Sequence, residues 1–196
     1  MPTMLLLSVL TGYLIGSIPV AYLIAKARGV DIFQVGTGNP GAANTFRSVG
    51  RPAGILVFAA DVARGGGAVL LARAMGVESL ELQAAAGAAA VVGHWYPIFL
   101  RFRGGAGLAP AVGIALATVP LAAGIGLIPS ALVLIRYSST GHAAGAGYTA
   151  LMLASVPLQQ IGPALTVVGI TALVFLHSRY VYRTRTTKRG QSTHKP

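Results

Sequence analysis

The segment Met4–Ala25 runs for 22 residues without a charge, and Lys26 and Arg28 follow it almost at once. As a helix it would extend about 33 Å, enough to cross a hydrocarbon core of about 30 Å. Further apolar stretches recur over Ala53–Met75, Leu82–Gly93, Leu108–Ile135 and Ala143–Leu176. With 54% apolar and 10% charged residues, and a mean hydropathy of +0.70, the chain lacks the polar surface that a water-soluble fold presents. The expected class is an all-α integral membrane protein, because a helix satisfies its own backbone in lipid. The first run is too long for a signal-peptide core and has no basic segment before it, so it is read as a retained helix.

Charge sets the expected topology. Lys26 and Arg28 place the end of the first helix in the cytoplasm and the N-terminus outside. Ala53–Met75 then leads out, Glu78 and Glu81 mark a short outer turn, and Leu82–Gly93 returns. Ala143–Leu176 holds 34 residues. At about 51 Å of helix it would overshoot a bilayer. Pro120 and Gly162-Pro163 interrupt the last two runs near their middles, which turns a five-span count, with Arg136 outside, into seven spans with Arg136 inside. The reading is therefore seven transmembrane helices, N-terminus outside and C-terminus cytoplasmic, in a multi-pass plasma-membrane protein. Residues 1–178 form the membrane domain, and 179–196 form a basic tail expected to be disordered and drawn to anionic headgroups.

Against this apolar background stands Gly36-Thr37-Gly38-Asn39-Pro40-Gly41-Ala42-Ala43-Asn44, closed by Arg47. Glycines at this spacing let successive N–H groups converge on an anion, and Arg47 adds a planar cationic fork. Gly36, Gly38 and Gly41 also fit a dinucleotide-binding pattern, but no buried strand or βαβ unit surrounds them. Three further loops share the expected cytoplasmic side. They carry Arg103-Gly104-Gly105-Ala106-Gly107 after His94-Trp95-Tyr96-Pro97, then Arg136-Tyr137-Ser138-Ser139, then His177 with Arg183. Four arginines (Arg47, Arg103, Arg136 and Arg183) facing one side with two glycine turns suit a dianionic phosphorylated substrate.

Other classes are disfavoured. The net charge of +11 is not interleaved with stacking aromatics, so no nucleic-acid partner is expected. The chain has no cysteine, and His94, His142, His177 and His194 are scattered without carboxylates at ligand spacing, so neither a metal nor a cofactor is expected. Asp61 and Arg64 lie three apart on one helical face and are read as a mutually neutralising structural pair.

In order and spacing, these motifs resemble the bacterial membrane glycerol-3-phosphate acyltransferases that use acyl phosphate. The resemblance rests on Gly16-Ser17, Gly36 through Asn44 with Arg47, Asp61-Val62-Ala63-Arg64-Gly65, Gly93-His94 with Pro97, Phe102-Arg103-Gly104-Gly105, Arg136-Tyr137-Ser138-Ser139, and His177 with Arg183. It implies a seven-helix fold with the active site at the cytosolic face. It also implies acyl transfer from acyl phosphate to the 1-hydroxyl of glycerol 3-phosphate, giving lysophosphatidate and phosphate. Arg47 and His177 are the catalytic residues so implied. Thr37, Asn39, Gly41, Arg47 and Ser138 or Ser139 would hold glycerol phosphate, Gly104, Gly105, His177 and Arg183 would flank the acyl-phosphate group, and Asn44 and Arg103 would also bind substrate.

The chain departs from that family at two positions. Ala106 stands where the family has lysine in a Gly-Gly-Lys-Gly loop, and Tyr180 where an asparagine is usual. Loss of a charge-assisted bond to phosphate costs about 1.5–3 kcal/mol. The competing reading is a catalytically weakened or inactive paralogue, or a membrane carrier, that binds an anionic lipid or phosphorylated metabolite.

Overall fold

The computed structural model describes residues 2–137 and 139–192, with side chains throughout these ranges except at 140 and 181–192. Among the described residues the fold is all-helical: α1 (Pro2–Ser17), α2 (Val20–Lys26), α3 (Ala42–Ser48), α4 (Arg51–Ala74), α5 (Leu80–Trp95), α6 (Leu108–Thr118), α7 (Pro120–Tyr137), α8 (Thr140–Ser155) and α9 (Ile161–Ser192). Helices α1 and α2 together form one span, Pro2–Lys26. The break between them follows from Pro19, which has no N–H to donate. Arg51–Ala74, Pro120–Tyr137 and Ile161–Tyr180 are also long and apolar enough to cross a membrane, and α6 is a shorter apolar helix.

The two long apolar runs are divided, as expected from the prolines. Val119 separates α6 from α7, with Pro120 opening the second helix. The other break lies earlier than Gly162-Pro163: residues 156–160 form the turn, and Gln159 takes a φ of +54°. Pro163 instead occupies the first turn of α9, where a missing N–H removes no helical bond. Helix α9 continues to Ser192, into the segment for which the sequence predicts a disordered tail.

Small residues let the helices approach closely, as in membrane bundles. On α1, Gly12 and Gly16 lie against the carbonyls of Ala86 and Ala90 on α5, and Gly93 of α5 lies against the Tyr13 carbonyl. Gly65 and Gly113 do the same between α4 and α6, and Gly126 and Gly147 between α7 and α8. Val69, Val91, Ile114, Val119 and Val167 fill the centre. Large apolar residues such as Leu6, Ile55, Ile128 and Leu173 are exposed, the pattern of a protein surrounded by lipid.

The end opposite the glycine loops is tied by polar bonds. Arg73 donates from Nε to Gln83 Oε1 at 3.1 Å and from Nη2 to the Ala117 carbonyl at 3.1 Å. Gln83 in turn donates to the Val77 carbonyl at 2.6 Å. The ends of α4, α5 and α6 are joined in this way.

Candidate functional site

The break between α1 and α2 leaves helix-end carbonyls without intrahelical donors. Arg64, reaching from α4, donates to the Gly16 carbonyl at 3.0 Å and to the Ile18 carbonyl, and it pairs with Asp61. Its Nη2 also lies 3.4 Å from His94 Nδ1. Asp61 and Arg64 are buried, at 1% and 9% exposure, so the charge of each depends on the other. Asp61 and Arg64 pair with one another, and through Arg64 the pair ties α4 to the break between α1 and α2.

The first loop is organised by Asn44. Its Oδ1 accepts the Thr37 N–H at 2.9 Å, and its Nδ2 donates to the carbonyls of Val35 at 3.1 Å and Ile32 at 3.3 Å. Gly36, at φ +54°, passes so near that a Cβ there would strike Asn44 Oδ1 and Ser48 Oγ. Asn44 is 1% exposed, so the structure uses it to hold the loop and not to face a ligand. The loop amides are largely engaged as well. The Gly38 N–H bonds the Val35 carbonyl, and the Gly41 N–H bonds the Asn39 carbonyl, each at 2.9 Å. Of the loop's side chains, Thr37 and nearby Arg47 are exposed and Asn39 is half-buried. Helix α3 is seated where Gly54 of α4 leaves room for Phe46, the residue before Arg47.

The second loop folds over the end of α5. The Gly105 N–H bonds the His94 carbonyl at 3.0 Å, and Trp95 Nε1 donates to the Ala106 carbonyl at 2.9 Å. Gly107 has a φ of +90° and lies against the indole nitrogen, where a Cβ would not fit. Gly105 also touches the first loop: a Cβ there would meet the Pro40 carbonyl at 3.0 Å and crowd the His94 ring. The two glycine loops thus share one contact surface, with Arg64 and His94 beneath them lining a small cavity.

His177, from α9, completes this end. Its ring stacks on Trp95 at 4.1 Å and 17°, and its Nε2 lies 3.2 Å from the Tyr96 hydroxyl. The Tyr96 carbonyl accepts from Tyr13 Oη at 3.0 Å, which links α1 to the same corner. The sequence alone does not assign Trp95 and Tyr96 this role, because their partner His177 lies more than 80 residues away. Their position between a histidine and a glycine loop was the available signal.

Gly41, Gly104, Gly105 and His177 are thus brought to one end, with Thr37, Asn39 and Arg47 on or beside the first loop. Arg103 lies across the gap, its guanidinium over the Phe33 ring. Ser139 sits at the turn between α7 and α8, where it caps α8 and its Oγ lies 2.8 Å from His142 Nδ1. Ser138 and the side chain of Arg183 lie outside the described residues.

The chain matches the family described as glycerol-3-phosphate acyltransferase over residues 6–187. It is 40% identical to the glycerol-3-phosphate acyltransferase of Rubrobacter xylanophilus over 176 residues, covering 87% of this chain and 86% of that protein. It is also 40% identical to glycerol-3-phosphate acyltransferase 1 of Deinococcus radiodurans, covering 88% and 87%. Two solved forms of PlsY (YgiH), an integral membrane glycerol 3-phosphate acyltransferase, share the fold. The glycerol 3-phosphate form aligns with a TM-score of 0.80 at 31% identity, covering 94% of this chain and 93% of that one. The lysophosphatidic acid form aligns with a TM-score of 0.78 at 30% identity and the same coverage.

Proposed function

The chain belongs to the glycerol-3-phosphate acyltransferase family, and from that premise we propose that it takes its acyl group from acyl phosphate. In the proposed reaction the 1-hydroxyl oxygen of glycerol 3-phosphate bonds to the acyl carbon and the bond from that carbon to the phosphate oxygen breaks. A substrate phosphate accepts the hydroxyl proton, and lysophosphatidate and inorganic phosphate leave. An acyl phosphate is a mixed anhydride with a good leaving group, so no covalent protein intermediate is required. Positioning and charge stabilisation supply the rate.

The observation that carries this reading is the shared surface of the two glycine loops, Gly105 against Pro40, with His177 held beside it by Trp95 and Tyr96. Arg47 is the catalytic cation on the acceptor phosphate, and Thr37, Asn39 and Gly41 line its site. Asn44 serves that site by fixing the Thr37 backbone. Gly104, Gly105 and Arg183 take the donor phosphate, Arg103 binds a substrate phosphate beside them, His177 orients the reacting group, and Ser138 or Ser139 closes over the acceptor. PlsY in its glycerol 3-phosphate and lysophosphatidic acid forms supports the acceptor and product in this assignment.

Seven spans follow when α1 with α2 counts as one crossing and α4 to α9 as one each. The N-terminus is then outside, the loops bearing Lys26, Arg47, Arg103 and Arg136 are cytoplasmic, and the basic segment 179–196 faces anionic headgroups of the plasma membrane. Supplying the purified protein with labelled glycerol 3-phosphate and, in turn, palmitoyl phosphate, palmitoyl-CoA or palmitoyl acyl-carrier protein tests the donor. Labelled lysophosphatidate forms with palmitoyl phosphate; efficient transfer from a thioester, with none from the phosphate, refutes the assignment.

A further inference from the structure

Arg103 and Phe33 belong to different loops, yet the Arg103 guanidinium lies over the Phe33 ring, 4.3 Å from its centroid. Phe33 is itself fixed. Its N–H bonds Asp31 Oδ1 at 3.0 Å, and its ring lies 6.2 Å from that of Tyr22. Its carbonyl lies so close to Gly38 that a Cβ on that glycine would come within 2.9 Å. Lys26 Nζ is 5.7 Å from the Tyr22 ring centroid. Through Phe33, whose backbone abuts Gly38, the Arg103 guanidinium is held beside the first glycine loop.

A phenyl ring has no lone pair to take up the guanidinium N–H donors, so the contact leaves the exposed Arg103 with donors for an anion. Among the described residues no carboxylate forms an ion pair with Arg103. Beyond Arg103 the loop continues as Gly104-Gly105-Ala106-Gly107 with no other cation. A long side chain held in place beforehand loses less freedom when it binds an anion.

We infer that Phe33 is a positioning residue that presets Arg103 for the phosphate of a phosphorylated substrate. The ligand chemistry is a phosphate group, borne by either the acceptor monoester or the acyl donor. The inference rests on the function proposed above and deepens it.

Steady-state rates with each substrate varied in turn test it, in Phe33→Leu, Phe33→Tyr, Arg103→Ala and the Phe33→Leu/Arg103→Ala double variant. Phe33→Leu keeps an apolar side chain but removes the π-face. It raises KM for one substrate about two- to fivefold, the worth of an exposed cation–π contact, with kcat little changed. Phe33→Tyr restores KM, and the double variant matches Arg103→Ala alone. The substrate whose KM moves identifies the phosphate that Arg103 holds. Unchanged KM for both substrates in Phe33→Leu, or an equal shift in the Arg103→Ala background, overturns the inference. If the wild type makes no product from acyl phosphate, calorimetric titration of the same variants with glycerol 3-phosphate and with inorganic phosphate decides. An affinity loss that disappears without Arg103 upholds the preset cation while the donor assignment fails; equal affinities overturn the inference.

Discussion

The indole of Trp95 lies nearly parallel to the His177 imidazole, centroids 4.1 Å apart at 17°, while its N–H holds the Ala106 carbonyl at 2.9 Å. One side chain therefore joins the second glycine loop to the histidine of α9. A shift in either is transmitted to the other.

Trp95→Phe preserves an aromatic face for His177 and removes only the bond to Ala106, at a cost of about 1 kcal/mol. Trp95→Ala also removes the aromatic stack, for a total of about 1–3 kcal/mol. The expected fall in kcat/KM is about fivefold for the first and up to about a hundredfold for the second. Kinetics on folded protein check this order; equal activity of the two variants would mean that the stack does not matter.

Asn44 is expected to act through the loop and not on substrate. In Asn44→Ala the Thr37 N–H and the carbonyls of Ile32 and Val35 lose their partners. Each unmade bond costs about 1 kcal/mol, and the loop becomes open to protease. Asn44→Asp is predicted to be at least as damaging, because it sets an oxygen against those two carbonyls. Limited proteolysis of the substrate-free protein separates the alternatives: a direct ligand role alone leaves the cleavage pattern unchanged.

Asp61→Ala strands a buried guanidinium and is expected to lower stability by about 3–5 kcal/mol. Arg64→Lys keeps the charge but loses the fork that reaches the Gly16 and Ile18 carbonyls through Nη1 and Asp61 through Nη2, so it also lowers the melting temperature. Thermal unfolding in detergent reads both variants. Wild-type stability in Asp61→Ala would remove the pair from the scaffold.

Ala106 engages its neighbours through its carbonyl, and its side chain is half-buried at the rim of the loop. Ala106→Lys is predicted to raise kcat/KM by about tenfold, corresponding to about 1.4 kcal/mol from a new charge-assisted bond to phosphate. An unchanged or lower rate, measured under the same conditions, counts against the placement of a substrate phosphate at this loop.

Much of the fold was legible because it depends on runs of apolar residues and on proline. Pro19 and Pro120 mark real breaks, since their effect is local to the backbone. The turn at 156–160 was displaced from Gly162-Pro163 because a proline in the first turn starts a helix as readily as it ends one. In the site, the density of Gly36, Gly38 and Gly41 identified a special loop. What it could not reveal was that Asn44 engages the Thr37 N–H, while the Gly38 and Gly41 amides bond within the loop. The roles of Trp95 and Phe33 were equally hidden, because each depends on a partner distant in sequence, His177 or Arg103.

The most direct test is inorganic phosphate release by the purified protein in lipid, with palmitoyl phosphate supplied in the presence and absence of glycerol 3-phosphate. With an acyl-phosphate mechanism, release requires glycerol 3-phosphate and collapses in Arg47→Ala. Absence of release from folded protein, or release indifferent to glycerol 3-phosphate and to Arg47, would contradict it.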